Sequence, residues 1–113
     1  MKKALFYIIA VEDDLKRAIM GLNVARRSHE FKRFEDVKVI LQGPSEKLVF
    51  DETPEVRSVI DYLITNKLID SACSNFAKKA SMDESIVARG VELKPSGERL
   101  AAFVNDGYIP ISF

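Results

Sequence analysis

The first apolar block of the chain runs without a polar break from Ala4 to Val11. A strand buried on both faces reads this way, so the block predicts a central strand. After Glu12-Asp13-Asp14 the spacing changes. Leu15, Ala18, Ile19, Leu22 and Ala25 recur at helical intervals, which predicts a helix capped by Asp13 and running to about Lys32. Met20, Val24 and Phe31 make a second apolar stripe on the same helix, more than one packed face requires. Val37–Leu41 reads as the second strand, broken by Gly43-Pro44-Ser45. In Glu46–Glu52, Leu48-Val-Phe50 is expected to pack over the sheet.

Thr53-Pro54-Glu55 is a helix start, with a cap, a proline at the first helical position and then an acid. Val56, Val59, Ile60, Leu63 and Ile64 form its buried face, and Asn66-Lys67 ends it. Leu68–Ala72 is a short strand leading into an Ala- and Lys-rich helix. Asp83 is the expected cap of a helix over Glu84–Arg89, stopped by Gly90. Val91–Lys94 reads as a strand. Pro95-Ser96-Gly97 turns into a helix with Leu100, Phe103 and Val104 inward, stopped by Gly107. Tyr108–Phe113 is the last strand. Pro110 cannot donate to a ladder, so this strand belongs at an edge. Strands alternating with helices predict an α/β fold with a parallel sheet in three layers, α/β/α.

Length and composition narrow the class. The 113 residues suit a single domain over 1–113 and carry enough apolar residues for a core without staples. Lys+Arg and Asp+Glu are both 17, so no basic excess points to nucleic acid or an anionic membrane. The Ala4–Val11 block is too short to span a membrane and has no small-residue cleavage site behind it. A single cysteine excludes an internal disulfide and a CxxC pair, and it suits a reducing cytoplasm. One Cys and one His also argue against a metal centre, and no motif calls for a cofactor.

The lone cysteine, Cys73, falls where the third strand meets its helix. Ligands of open α/β sheets collect at the carboxyl ends of strands, and a helix N-terminus favours a thiolate. The dipole effect is only ~0.3–1 kcal/mol, so a modestly activated thiol is expected. Lys78 and Lys79 add to it, while Glu12, Asp13 and Asp14 oppose it if they lie close. The alternative is a packed, inert cysteine, the commoner role of an isolated one. His29 lies about fifteen residues into its helix, roughly 20 Å from that edge. It is therefore expected to take no part in Cys73 chemistry. Gly43-Pro44-Ser45 reads first as a plain turn and second as backbone that approaches an anion.

The order of these pieces resembles a known family. Cys73-Ser74-Asn75 follows a strand, with Lys78-Lys79 and a short Met82-Asp-Glu-Ser-Ile helix after it. Gly90-Val91, Pro95-Ser-Gly97 and a terminal Gly107-Tyr108-Ile109-Pro110 complete the series, and Gly43-Pro44-Ser45 follows strand two. Nearly the whole chain is similar to the DsrE/DsrF-like (DsrEFH-like) proteins of intracellular sulfur trafficking. The resemblance implies a five-stranded, mainly parallel sheet with the first strand inside and the last at an edge. It implies that Cys73 carries sulfane sulfur as a persulfide, with Gly43, Pro44, Ser45, Ser74 and Asn75 around the substrate. Ser74 stands where relatives often have Gly. It also implies a homo-oligomer, a trimer or hexamer, and sulfur donor and acceptor proteins as partners. The competing expectation is a non-catalytic oligomeric subunit of the same fold, with Cys73 buried and inert.

Overall fold

Five strands form one sheet in the order β4-β3-β2-β1-β5, every neighbouring pair parallel. They are β1 (Lys3–Ile8), β2 (Asp36–Leu41), β3 (Ile69–Cys73), β4 (Leu93–Lys94) and β5 (Tyr108–Ser112). The structure is a computed structural model and describes every residue from Met1 to Phe113. The helices are α1 (Leu15–Glu30), α2 (Pro54–Thr65), α3 (Ser74–Lys79), α4 (Asp83–Ala88) and α5 (Ser96–Asn105). Two 3₁₀ stretches, Glu12–Asp14 and Gly43–Phe50, follow β1 and β2. The expected three-layer α/β/α architecture with five parallel strands is present.

The apolar block at the start is strand only as far as Ile8, and Ile9 and Val11 are exposed. The neighbours set this limit. β2 ends at Leu41 and β5 at Ser112, opposite Ile8 and Tyr7. Past them only Ile9 N–H, bonded to Phe113 O, still finds a partner on a neighbouring strand, whatever the side chains. β4 is likewise shorter than expected, covering Leu93–Lys94 alone. β5 is an edge strand as predicted. Phe113 N–H donates to Tyr7 O and Ile9 N–H to Phe113 O. By alternation, Pro110 then has its nitrogen on the outer side, where the missing N–H breaks no ladder bond.

Successive side chains of a strand point to opposite faces of the sheet, and here the two faces are covered unequally. Helices α1 to α4 close one face over a core of 21 buried residues. It includes Phe6, Ile8, Val39 and Leu41 from the sheet, Leu22 from α1 and Ile60 and Leu63 from α2. Leu48 and Val49 of the long 3₁₀ stretch join this core, as their sequence foretold. α1 lies so close that a Cβ at Gly21 would stand 2.6 Å from Cγ of Phe113 and 2.8 Å from Cδ1 of Ile8. Only α5 covers the other face, where the buried apolar cluster is Leu5, Ile40 and Phe103. Val104, expected inward, is exposed, because one helix presents only a narrow stripe to the sheet.

The α5 face is finished with polar groups. Asp70 accepts two bonds from Arg99, at 3.0 and 3.1 Å, and one from Ser71 Oγ at 2.9 Å. Lys94 Nζ stands 3.5 Å from the same carboxylate. The Arg99 guanidinium also lies over the Phe103 ring, 5.1 Å from its centroid. This fork ties α5 to β3.

Candidate functional site

The local pairing of β3 decides where Cys73 points. Val39 is opposite Ile69, but Ile40 is opposite Ser71 and Leu41 opposite Ala72. Asp70 is thus an extra residue, a bulge that reverses the in–out alternation after it. Ile69 packs against the large core on the α1–α4 side. Strict alternation from Ile69 would send residue 73 to that same side. After the bulge it is Ala72 that enters the large core, and Cys73 turns to the α5 face.

There the cysteine is buried, 6% exposed, with hydrogen-bond donors around its sulfur. The amides of Asn75 and Phe76 come from the first turn of α3. The hydroxyl and amide of Ser96 come from the first residue of α5. Burial is the largest single influence and raises the thiol pKa. Bonds from the Phe76 amide, the Ser96 hydroxyl, the Ser96 amide and the Asn75 amide together outweigh it, and the thiol sits below its ordinary value. The lowering comes from these donors rather than from a nearby cationic side chain. Lys78 and Lys79 lie exposed in the last turn of α3 and are not among them. Of the opposing acids, Glu12 is paired with Lys47, and Asp14 with Arg17 at 3.1 Å.

The other sequence-predicted site residues divide. Ser74 and Asn75 open α3 beside the sulfur, and the Asn75 side chain is exposed. Gly43, Pro44 and Ser45 open the 3₁₀ stretch after β2. Gly43 has φ of +76°, a conformation that favours glycine. Its amide is already given to Glu46 Oε2, at 2.9 Å, and Pro44 has no N–H to offer. Ser45 is fully buried, its hydroxyl between the carbonyls of Ile8 (2.8 Å) and Gln42 (2.9 Å). This segment joins the carboxyl ends of β1 and β2. The Gly43 amide and the Ser45 hydroxyl are both engaged within the protein.

Four residues escaped the sequence reading. Ser96 Oγ donates to Gln42 Oε1 at 2.7 Å, and Tyr7 Oη donates to the same oxygen. Gln42 closes the apolar run of β2 at its carboxyl end, a signal visible in the chain but common there. The fourth is Glu46. It is fully buried, its Oε1 has no hydrogen-bond partner, and burial pushes its pKa to about 7 against the help of the Gly43 amide.

His29 lies at the opposite end of the sheet, its Nδ1 2.7 Å from Tyr62 Oη. The two border a 510 Å³ hollow with Met1, Phe34 and Asp36. The expected separation of His29 from Cys73 is what the fold contains.

No family model and no curated protein matches the chain. Solved structures do, among them two that are matched over nearly their whole length. One is the crystal structure of the ychN protein from E. coli, with a TM-score of 0.76, 12% identity and all of both chains covered. The other is BT1422 from Bacteroides thetaiotaomicron, described as a conserved protein of unknown function. Its TM-score is 0.75 and its identity 21%, over 96% of this chain and 94% of that one. At these identities the likeness shows a shared fold.

Proposed function

We propose that this chain is a sulfur-trafficking protein of the DsrE/DsrF-like kind, with Cys73 accepting and passing on sulfane sulfur. One observation carries the reading: the lone thiol sits at the carboxyl end of β3, where α3 begins, and hydrogen bonding from Phe76, Ser96 and Asn75 lowers its pKa despite burial. Donors so arranged favour the anionic form, which is the nucleophile. The Cys73 thiolate attacks the outer sulfur of a donor persulfide, R–S–SH. The S–S bond of the donor breaks, R–S⁻ leaves with the bonding pair, and Cys73–S–SH remains. An acceptor thiolate then attacks that outer sulfur and releases Cys73 as thiolate. Neither step needs an external oxidant or reductant, and the surrounding donors hold the charge before and after.

The burial of Cys73 supports a second reading, a non-catalytic subunit with an inert cysteine. Under either reading the chain is proposed to act in the cytoplasm as a homo-oligomer, a trimer or hexamer. The exposed Met20, Val24 and Phe31 along α1 supply the apolar surface for this. No helix is long and apolar enough to cross a membrane. The deciding experiment is incubation with a persulfide donor followed by mass spectrometry. The native chain is expected to gain about 32 Da, one sulfur, on Cys73, and Cys73→Ser none. A Cys73 that stays unmodified by donor and alkylating reagent until the protein is denatured decides for the inert subunit.

A further inference from the structure

Ser71 is a polar residue fully buried within a strand, and the bulge decides where its hydroxyl goes. Ile69 and Ala72 share the large core with their partners Val39 and Leu41, whereas Ser71 lies on the α5 face with Ile40. Asp70 points to the α5 face too, where it meets Arg99. Two consecutive residues of β3 therefore share one face, which a regular strand forbids. Their closeness makes a bond. Ser71 Oγ donates to Asp70 Oδ2 at 2.9 Å, the one bond that the hydroxyl makes. Asp70 is held in turn by Arg99 and by Lys94, the register partner of Cys73. Regular alternation of the same residues would leave Ile69 in the large core and Asp70 on the α5 face, beside Arg99 as before. It would move Ser71 and Cys73 into the apolar cluster and Ala72 out of it. The Asp70–Arg99 fork thus does not tell the two registers apart. The Ser71 hydroxyl does, because only the bulge keeps it beside Asp70, and a buried hydroxyl without a partner is costly.

We infer that Ser71 is the residue that aims the thiol: its hydroxyl, held on Asp70, keeps β3 in the bulged register and so keeps Cys73 on the α5 face. Ser71 is a positioning residue, acting through the register of its strand rather than on the sulfur. The spacing of apolar residues is silent on this point. Ser71 and Ala72 are both small enough for either side of the sheet, and the partner of the hydroxyl alone distinguishes them. The consequence for chemistry rests on the proposed function, in which Cys73 reacts as a thiolate. A thiol turned into the large core is enclosed by apolar side chains, a setting that disfavours its anion.

The experiment exchanges the two small residues, Ser71→Ala together with Ala72→Ser, which leaves the composition unchanged. Cross-strand nuclear Overhauser contacts read the register, and thermal unfolding checks integrity. The native chain is expected to pair Ile40 with residue 71 and Leu41 with residue 72. The exchanged chain is expected to pair Ile40 with residue 70 and Leu41 with residue 71. Alkylation of Cys73 in the folded exchanged protein is expected to be about tenfold slower than in the native one, because apolar surroundings raise the thiol pKa. Ser71→Thr, which keeps the hydroxyl, is expected to keep the native pairing and rate. Should the exchanged chain fail to fold, Ser71→Ala alone is read. It is expected to show both pairings as doubled contacts, with a slowly reacting fraction of thiol. Native pairing alone in the exchanged chain, or in Ser71→Ala where the exchange does not fold, overturns the inference. Persulfide loading of the native protein is read separately. A shifted register without loading leaves the role of Ser71 standing and removes the carrier. Loading with an unmoved register leaves the carrier standing and removes the role of Ser71.

Discussion

The two faces of the sheet hold the same strands together by different means. On the α1–α4 side, apolar side chains from every layer meet in one large core, and Phe6 packs on the rings of Phe34 and Phe113 at 6.4 and 6.3 Å. On the α5 side three buried apolar residues are supplemented by the Asp70–Arg99 fork and by the bonds of Tyr7 and Ser96 to Gln42. Hydrophobic burial is non-directional and penalises a polar group without a partner, whereas hydrogen bonds place atoms. Stability accordingly concentrates on the first face and positioned chemistry on the second.

Each face also contains a carboxylate withdrawn from solvent, Glu46 fully and Asp70 in large part, and the pair makes the same point. Asp70 is partly buried, which raises its pKa, but the bonds from Arg99 and Ser71 and the charges of Lys94 and Arg99 outweigh that effect and lower it. Glu46 has one amide and an unpartnered oxygen, so burial prevails and its pKa rises to about 7. One carboxylate is stabilised as an anion, and the other is most at ease as an acid.

The largest effect expected from this contrast is in the deep core. Phe6→Ala should cost about 3–5 kcal/mol, because it opens a cavity among rings and aliphatics that cannot collapse. Phe103→Ala should cost less, since the single covering helix can settle onto the sheet. Urea unfolding of the two variants checks this, and equal losses would refute the unequal division of stability.

The next effect is on pH dependence. Glu46 has a folded-state pKa above its ordinary 4.5. Its protonated form therefore favours folding fully below that value, and the advantage is lost as pH rises through about 7. Relative to the native chain, Glu46→Gln should gain about 3–4 kcal/mol of stability on going from acid to alkaline solution, at ~1.4 kcal/mol per pKa unit. Asp70 has the opposite sign. Its contribution is present above the ordinary 3.8 and lost as pH falls below it, so Asp70→Asn should hurt at neutral pH and hardly at all in strong acid. Unfolding curves across the pH range test both, and parallel curves for native and Glu46→Gln chains would show that Glu46 ionises freely. The smallest expected effect is none. His29→Ala, at the far end of the sheet, should leave the rate of Cys73 alkylation unchanged, and a slowing of several-fold would place another subunit's His29 beside the thiol.

Much of this was legible in the residue pattern. The order of strands and helices was, because period-two and helical spacings of apolar residues report burial directly. So was the edge position of β5, from Pro110, and so were the stops at Gly90 and Gly107, both at positive φ. Cys73 stood out as the only thiol at a strand-to-helix junction. The ends of β1 and β4 were not legible, since a strand stops where its neighbours stop. Nor was the exposure of Val104, which depends on how much sheet one helix spans.

The chain by itself determined the elements, the sheet's covered faces and the candidate thiol, because each follows from local spacing and residue type. Only the tertiary structure decided which way that thiol points. A single extra residue, Asp70, reverses the alternation of β3 and carries Cys73 from the large core to the face where Ser96 waits. Such a bulge is a property of the pairing between two strands, and no spacing within either strand encodes it.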